Sequence, residues 1–370
     1  MKLRRTLLLT AISALAAAPA IPQNQPGPAE REVFSAAAQE ADPAKKLSLL
    51  SQWSEQFPDS AFARERNLHY LSCYSQLEAA AVAPGAADPA LTLGERAATV
   101  MVTRAEDLFA VAMRPDAVSA ANWITARAEA LRQAHFVLAQ LASNRRNYSR
   151  AEAEFRLLLP LDAEDGAVAL RLGTSIVSQK LPQRYPEAIY YLARAMGQMK
   201  PGADRDALDQ YLRRVYTSWH GDLTEFDVTV AAATVAKKLP ADWSIPGAAE
   251  VAIQLELAAK AWEESHPELA LWRKLRIQLT GPAAAEYFTT VLKDAQLPQL
   301  KGTVTSTAAK EVVLAMDGAN PEVTLRLDGI LRERPSPGAV IAFSGIPLSF
   351  RQEPYMLVFE VKVADLKLNP

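Results

Sequence analysis

The chain's 370 residues include 40 basic and 42 acidic side chains, for a net charge of −2. That balance argues against nucleic acid as a partner, because a binder concentrates Lys and Arg into an electrostatic footprint. Hydrophobic residues make up 49% of the chain, enough for a sizeable core in roughly two domains of ~150 residues each. The single Cys73 excludes an internal disulfide and any multi-cysteine metal site, so stability has to come from packing.

Residues 1–20 read as an export signal. Lys2, Arg4 and Arg5 give a positive start, residues 7–17 form an uncharged apolar run, and Ala18-Pro19-Ala20 supplies the small residues a signal peptidase reads. The run is shorter than the ~20 apolar residues that span a bilayer. A cleaved signal is the expectation and an uncleaved N-terminal anchor the competing one; both predict an exported protein, periplasmic or extracellular. No later stretch is long and apolar enough for a membrane span. Residues 21–31, with Pro22, Pro26, Gly27 and Pro28, read as a flexible leader.

Residues 32–245 are rich in good helix formers. Leu47, Leu50, Trp53 and Phe57 recur at three- and four-residue steps and so share one helical face. Pro58-Asp59-Ser60 stops that helix, and Ser60 caps a second one carrying Phe62, Leu68, Leu71 and Tyr74. After a loop at 84–89, a third helix is expected over 93–113, with Val100, Leu108 and Phe109.

A doubled pattern follows. Leu138-Ala139 returns as Leu172-Gly173, 34 residues on, and Tyr148, Ala151, Phe155 and Leu158 return as Tyr185, Ala188, Leu192 and Ala195, 37 residues on. A small residue beside an apolar one, then an aromatic-Ala-large ladder, is what stacked helix pairs need. The expected helices cover residues 123–142, run from Asn147 to Pro160, and then start near Gly166 and near Tyr185. The three additional residues fall in the loop Leu181-Pro182-Gln183-Arg184, where insertion is tolerated.

These residues resemble the tetratricopeptide repeat (TPR). Gly173 and Ala139 stand at the close-packing position of its first helix, while Ala151 with Phe155, and Ala188 with Leu192 and Ala195, match its second. About 75 residues match well, and residues 44–77 match in degenerate form. The large aromatic of the repeat's first helix is absent, with His135 and Ala169 in its places. The whole chain also resembles exported bacterial repeat proteins of uncharacterised type, through the Tyr-x-x-x-His-Gly element from Tyr216 to Gly221. The resemblance implies a mainly α fold: a TPR-like solenoid of antiparallel helix pairs, whose first helices line a concave groove. Carried over by register, that groove presents Gln133, Phe136, Gln140 and Asn144 beside Leu170, Thr174 and Val177. Polar amides around apolar anchors suit an extended peptide or partner helix. The competing expectation is that neighbouring helices or the C-terminal unit fill the groove.

Two further helices are expected at 206–219 and 225–239, and a helical connector at 246–298, with helices over 248–265 and 283–295. From 299 to 370 the pattern changes to short runs rich in Val, Thr, Ile and Phe, at 301–307, 311–316, 322–327, 339–344 and 355–363. Turn residues separate them, including Gly345 to Pro347. A small antiparallel β domain is expected, either barrel or sandwich. The placement of Gly302, Gly338 and Gly345 resembles an oligonucleotide/oligosaccharide-binding (OB) barrel, without the exposed basic and aromatic stripe of a nucleic-acid binder.

Chemistry finds little footing. His69, His135, His220 and His266 lack metal-ligand spacing, and Asp162, Glu164, Asp165 and Gly166 lack the alternation of a calcium loop and read as a turn. Cys73 reads as a buried, inert thiol. His220-Gly221-Asp222 suits a helix end, with Gly221 as left-handed cap and His220 at the negative pole. A hydrolase or transferase, the alternative, would instead turn His220 into a pocket beside Asp222 or Asp227. A carbohydrate or peptidoglycan binder would expose Phe343, Phe350 or Tyr355 on one face of the β domain. The expectation is a non-enzymatic scaffold for a protein or peptide partner, possessing no catalytic residues, metal ligands or cofactor.

Overall fold

The computed structural model describes residues 27–160 and 166–368. The expected signal at 1–20 and the turn residues Asp162, Glu164 and Asp165 lie outside the described residues. The chain divides into two compact units, one ending at Ala248 and the other beginning at Ala249. The first is helical and the second is built around a β-sheet.

The helical unit contains α1 (Pro28–Gln39), α2 (Pro43–Gln56), α3 (Ala63–Ala81), α4 (Asp88–Thr103), α5 (Ala105–Leu108), α6 (Ala120–Asn144), α7 (Tyr148–Leu158), α8 (Gly166–Ser178), α9 (Tyr185–Gln198), α10 (Ala203–His220) and α11 (Phe226–Val235). Caps mark several starts. Asp42 accepts from the N–H groups of Ala44 and Lys45 with Pro43 at the first turn of α2. Ser119 caps α6 and Asn147 caps α7. Short connections fold each long helix back on its predecessor: α1 packs on α2, α2 on α3, α3 on α4, α4 on α6, then α6 to α10 in succession, with α11 on α9.

Two local expectations need correction. Pro28 to Arg31, expected in the leader, form the first turn of α1, where Pro28 needs no amide hydrogen. The helix expected over 93–113 breaks at Arg104, whose φ of −116° and ψ of 15° leave the helical region. The helix then stops at Leu108, and side chains of other helices take the carbonyls at that end: Asn67 Nδ2 donates to Leu108 at 2.7 Å, and Trp123 Nε1 donates to Phe109 at 3.0 Å. Tertiary donors compensate the early end of the helix, and local periodicity cannot register them.

Ala139, Ala151, Phe155, Leu172, Ala188, Leu192 and Ala195 are all buried in one continuous core. A second core joins α3, α4 and α5 to the other side of α6 through Leu71, Leu77, Met101, Leu108 and Leu138. A third surrounds Trp53 and Phe62 and includes Cys73, whose thiol burial pushes up to about 11, leaving it protonated and inert.

The β unit opens on α12 (Ala248–Ser265), whose first residue is the last of the helical unit, and α13 (Pro267–Thr280). Then come α14 (Ala284–Tyr287), a π turn at Phe288–Leu292, and strands β1 (Leu300–Thr307), β2 (Glu311–Ala315), β3 (Val323–Leu327), β4 (Val340–Phe343), β5 (Ile346–Arg351), β6 (Met356–Val361) and β7 (Lys367–Leu368). β1, β2 and β3 form an antiparallel meander, and β3 pairs in parallel with β6. β6 pairs with β5, and β4 pairs with β1. Only Ser344 and Gly345 separate β4 from β5, so these are two halves of one bent strand, and the ladder runs round a ring. The barrel alternative is therefore the one adopted, with β7 added on β4.

The segment expected as a connector, 246–298, does not stand apart. α13, absent from the expected helices, lays Trp272, Leu275 and Leu279 on the buried residues of the barrel, including Leu314, Phe343, Leu357 and Phe359. The expected turn from Gly345 to Pro347 is instead the bend and first part of β5. Pro347 is tolerated there because the pairing slips between Pro347 and Ser349.

Two measurements check these packing arguments. Glu78 of α3 is 1% exposed, and burial alone pushes its carboxyl up to about 8 from 4.5. The folded state then holds the proton more tightly, so stability is full below pH 4.5 and falls as pH rises toward 8. Glu78→Gln should remove that slope and raise stability at pH 8 by a few kcal/mol, on the order of 2–4, read by urea unfolding at several pH values. At Gly345 an added Cβ meets Val361 Cγ2 at 2.6 Å and the Glu360 carbonyl at 2.7 Å. Gly345→Val should cost at least about 2 kcal/mol and loosen the β4–β5 bend, seen as faster amide exchange in those strands.

Candidate functional site

The space beside α6 and α8 is open in two places. The two helices approach through side chains, not closely packed backbones, and two cavities open along them. The first, of about 440 Å³, is walled by Ala81 to Ala83, Gly85, Ala86 and Leu91 from the α3–α4 turn and the start of α4. Phe136, Gln140, Asn144 and Arg171 complete it. The second, of about 360 Å³, is lined by Gln140, Ser143, Tyr148, Phe155, Leu170, Arg171, Thr174, Ser175 and Ser178. Gln140 and Arg171 belong to both and form the partition.

Of the residues expected from register, Phe136, Gln140 and Asn144 line the first cavity, and Gln140, Leu170 and Thr174 the second. Gln133 and Val177 are half-buried and line neither. The sequence reading missed Arg171, the only charged residue of α8, which was a usable signal in an otherwise apolar and small-residue helix. It also missed the wall from the α3–α4 turn, which no periodicity in α6 or α8 reveals.

Polar contacts order this surface. Arg171 donates to Gln140 Oε1, Gln140 Nε2 donates to Asn144 Oδ1 at 3.0 Å, and the guanidinium carbon lies 4.8 Å from the Phe136 ring centre. Ser175 Oγ returns a hydrogen bond to the Arg171 carbonyl at 2.8 Å.

Behind the groove, α7 and α9 are tied by a charge network. Glu152 accepts from Arg156 at 2.7 Å and from Arg184 at 2.6 Å. Gln179 donates to it at 2.6 Å. Glu187 joins the same two arginines. Burial alone would push the Glu152 carboxyl up, but hydrogen bonds from Arg184, Gln179 and Arg156 outweigh it and hold the group at about 2. His135, at the position where the repeat has its aromatic, donates from Nδ1 to Glu154 of α7 at 2.7 Å.

The other expected sites take structural roles. His220 is 4% exposed and donates from Nδ1 to the Pro246 carbonyl at 3.0 Å. Its ring lies 5.0 Å from Tyr216, whose hydroxyl donates to the Thr224 carbonyl at 2.8 Å. Gly221 ends α10 with φ of +102°, a conformation that favours glycine. The Tyr-x-x-x-His-Gly element is thus a helix terminator. His220 Nε2 lies 3.6 Å from Asp222 Oδ1 of an exposed side chain, neither cavity reaches it, and Asp227 is exposed and faces Arg213 at 3.6 Å. In the β unit Phe343 and Tyr355 are buried, and Phe350 is half-buried against Phe288 at 5.1 Å. The exposed aromatic face that sugar binding requires is not built from these three. Among the described residues, no cluster of three or more His, Cys, Asp or Glu is placed to hold a metal, and no helix is long and apolar enough to cross a membrane.

The charge network generates a pH prediction. With Glu152 held at about 2, its contribution is full above pH 4.5 and is lost as pH falls from there. Glu152→Gln should flatten the acid limb between pH 4.5 and about 2 and destabilise the protein at pH 7 by about 1–2 kcal/mol, measured by thermal unfolding across that window. No protein-family model, curated protein or solved structure matches this chain.

Proposed function

We propose that this protein is a non-enzymatic scaffold that holds an extended segment of a partner protein in the groove between α6 and α8. The observation that carries this reading is the pair of adjoining cavities along those helices, with apolar anchors and ordered amides in one line. Pockets of this size with a few convergent polar groups are ordinary binding sites. The TPR-like register supports it further, because it named Phe136, Gln140, Asn144, Leu170 and Thr174 as groove residues, and these line the cavities. The reading places the scaffold outside the cytoplasm, in envelope assembly, on the strength of the charged start and apolar run at residues 2–20. The β barrel, OB-like in its ring of pairings, serves as a second binding module or lid.

A photo-crosslinking amino acid at Gln140 or Thr174 should capture one common partner in cells. The same probe at Arg205, in the first turn of α10, should not. Combining the probe at Gln140 with Phe136→Ala and Thr174→Arg should abolish capture while leaving circular dichroism unchanged, since Thr174 is exposed. Equal capture from the Arg205 position, or capture insensitive to both substitutions, would refute the groove.

A further inference from the structure

α11 is the last helix of the helical unit, and Asp227 is its one charged residue. One face is used within the chain: Phe226 and Ala233 are buried, with the Phe226 ring edge-on to Tyr216 at 5.3 Å. The opposite face is just as apolar but lies exposed. Val228, Ala231, Ala232 and Val235 follow one another at steps of three, one and three, and so share that side. Val228 is 72% exposed and Val235 83%. Leu223, also exposed, continues the patch ahead of the helix. A helix that is apolar all round is ordinarily buried, and the last element of a helical array needs a polar outer side to remain single. α11 has no such side. It is also firmly held: the Tyr216 hydroxyl donates to the Thr224 carbonyl at 2.8 Å at its entry, and the Tyr190 hydroxyl to the Ala236 carbonyl at 3.0 Å at its exit.

We propose that this face pairs with the same face of a second copy of the chain, the two α11 helices running antiparallel about a two-fold axis. The pattern is its own mirror image about the point between Ala231 and Ala232. Val228 therefore meets the partner's Val235, and the small Ala231 and Ala232 let the two backbones approach in the middle. Charge fixes the direction. Glu225 and Asp227 stand at the start of α11, Lys237 and Lys238 just past its end, and all four are exposed. Antiparallel pairing sets Glu225 opposite the partner's Lys238, and symmetry makes that contact twice. Parallel pairing would instead set like charges side by side. A different protein would need to match this layout, whereas a second copy matches it by symmetry alone. One ten-residue helix on another buries less than the ~1,200 Å² of a stable dimer, so the pairing is weak, with a Kd on the order of 100 µM.

Sedimentation equilibrium of the full chain, from about 5 to about 500 µM, reads the pairing. The mass should rise from one chain toward two across that range. Val228→Glu combined with Val235→Glu, both at exposed positions, should weaken association at least about tenfold. Val111→Glu, at a site 84% exposed outside this face, should leave it unchanged. Glu225→Lys or Lys238→Glu alone should weaken it roughly threefold, and the two together should return it to within about twofold of wild type, because the exchanged charges meet again. A chain that stays monomeric at the highest concentration would overturn the proposal and leave the face to another protein or to another part of the same chain. Association that survives both valine substitutions would overturn it too, as would a double charge exchange that restores nothing.

Discussion

Where α8 meets α9, a side chain at position 173 would have nowhere to go. A Cβ there would stand 2.8 Å from Leu192 Cγ and 3.1 Å from the Ala188 carbonyl, so only glycine lets the two helices approach this closely. Ala188 and Leu192, both fully buried, form the other side of that contact. Once Gly173 and Leu172 are committed to α9, the helical period turns Leu170, Arg171 and Thr174 toward α6. The groove follows from this one close approach, because the residues that line it are those the packing contact leaves over.

The charge network on the far side of α7 and α9 complements that contact. Apolar packing is tolerant of small slips, but Glu152 needs both Arg156 and Arg184 to offset its desolvation, and Arg184 lies in the turn between α8 and α9. A slip of one residue would separate the charges and leave a carboxylate buried without a partner, at a cost of a few kcal/mol. The network therefore acts on register more than on net stability, and register decides which side chains face the groove.

In the β unit a single buried carboxylate has a comparable role. Glu322 accepts from Trp272 Nε1 at 3.1 Å and pairs with Arg276 at 2.5 Å, fixing α13 on the barrel through two of its residues. Tyr355 lies 5.8 Å from the Trp272 ring, and burial together with the nearby Glu322 charge holds its hydroxyl well above the usual phenol range. Gly302 and Gly345 allow the strands to bend. A Cβ at Gly302 would stand 2.8 Å from Met316 Sδ, and one at Gly345 2.6 Å from Val361. Closure and capping here depend on a few positions, and most of the remaining strand residues need only alternate.

The amino-acid order by itself determined that α6 to α9 are amphipathic helices with small residues at their contacts, that short β runs follow near residue 300, and that His220-Gly221 ends a helix. These features are written in spacings of two, three and four residues, which the chain carries whether or not it is folded. Five of the seven residues placed by register line one or other cavity, because a helix that buries one face must present the other. The tertiary structure decided the rest. The α3–α4 turn became a cavity wall, Arg171 became the partition, Gln133 and Val177 fell outside, and α13 became part of the barrel core although its Leu269, Trp272, Leu275 and Leu279 spacing was visible. Pro347 looked like a turn and sits in a strand because a bulge accommodates it. A periodic pattern states which side of an element is buried but not which element buries it, and those partners are brought together only by the fold.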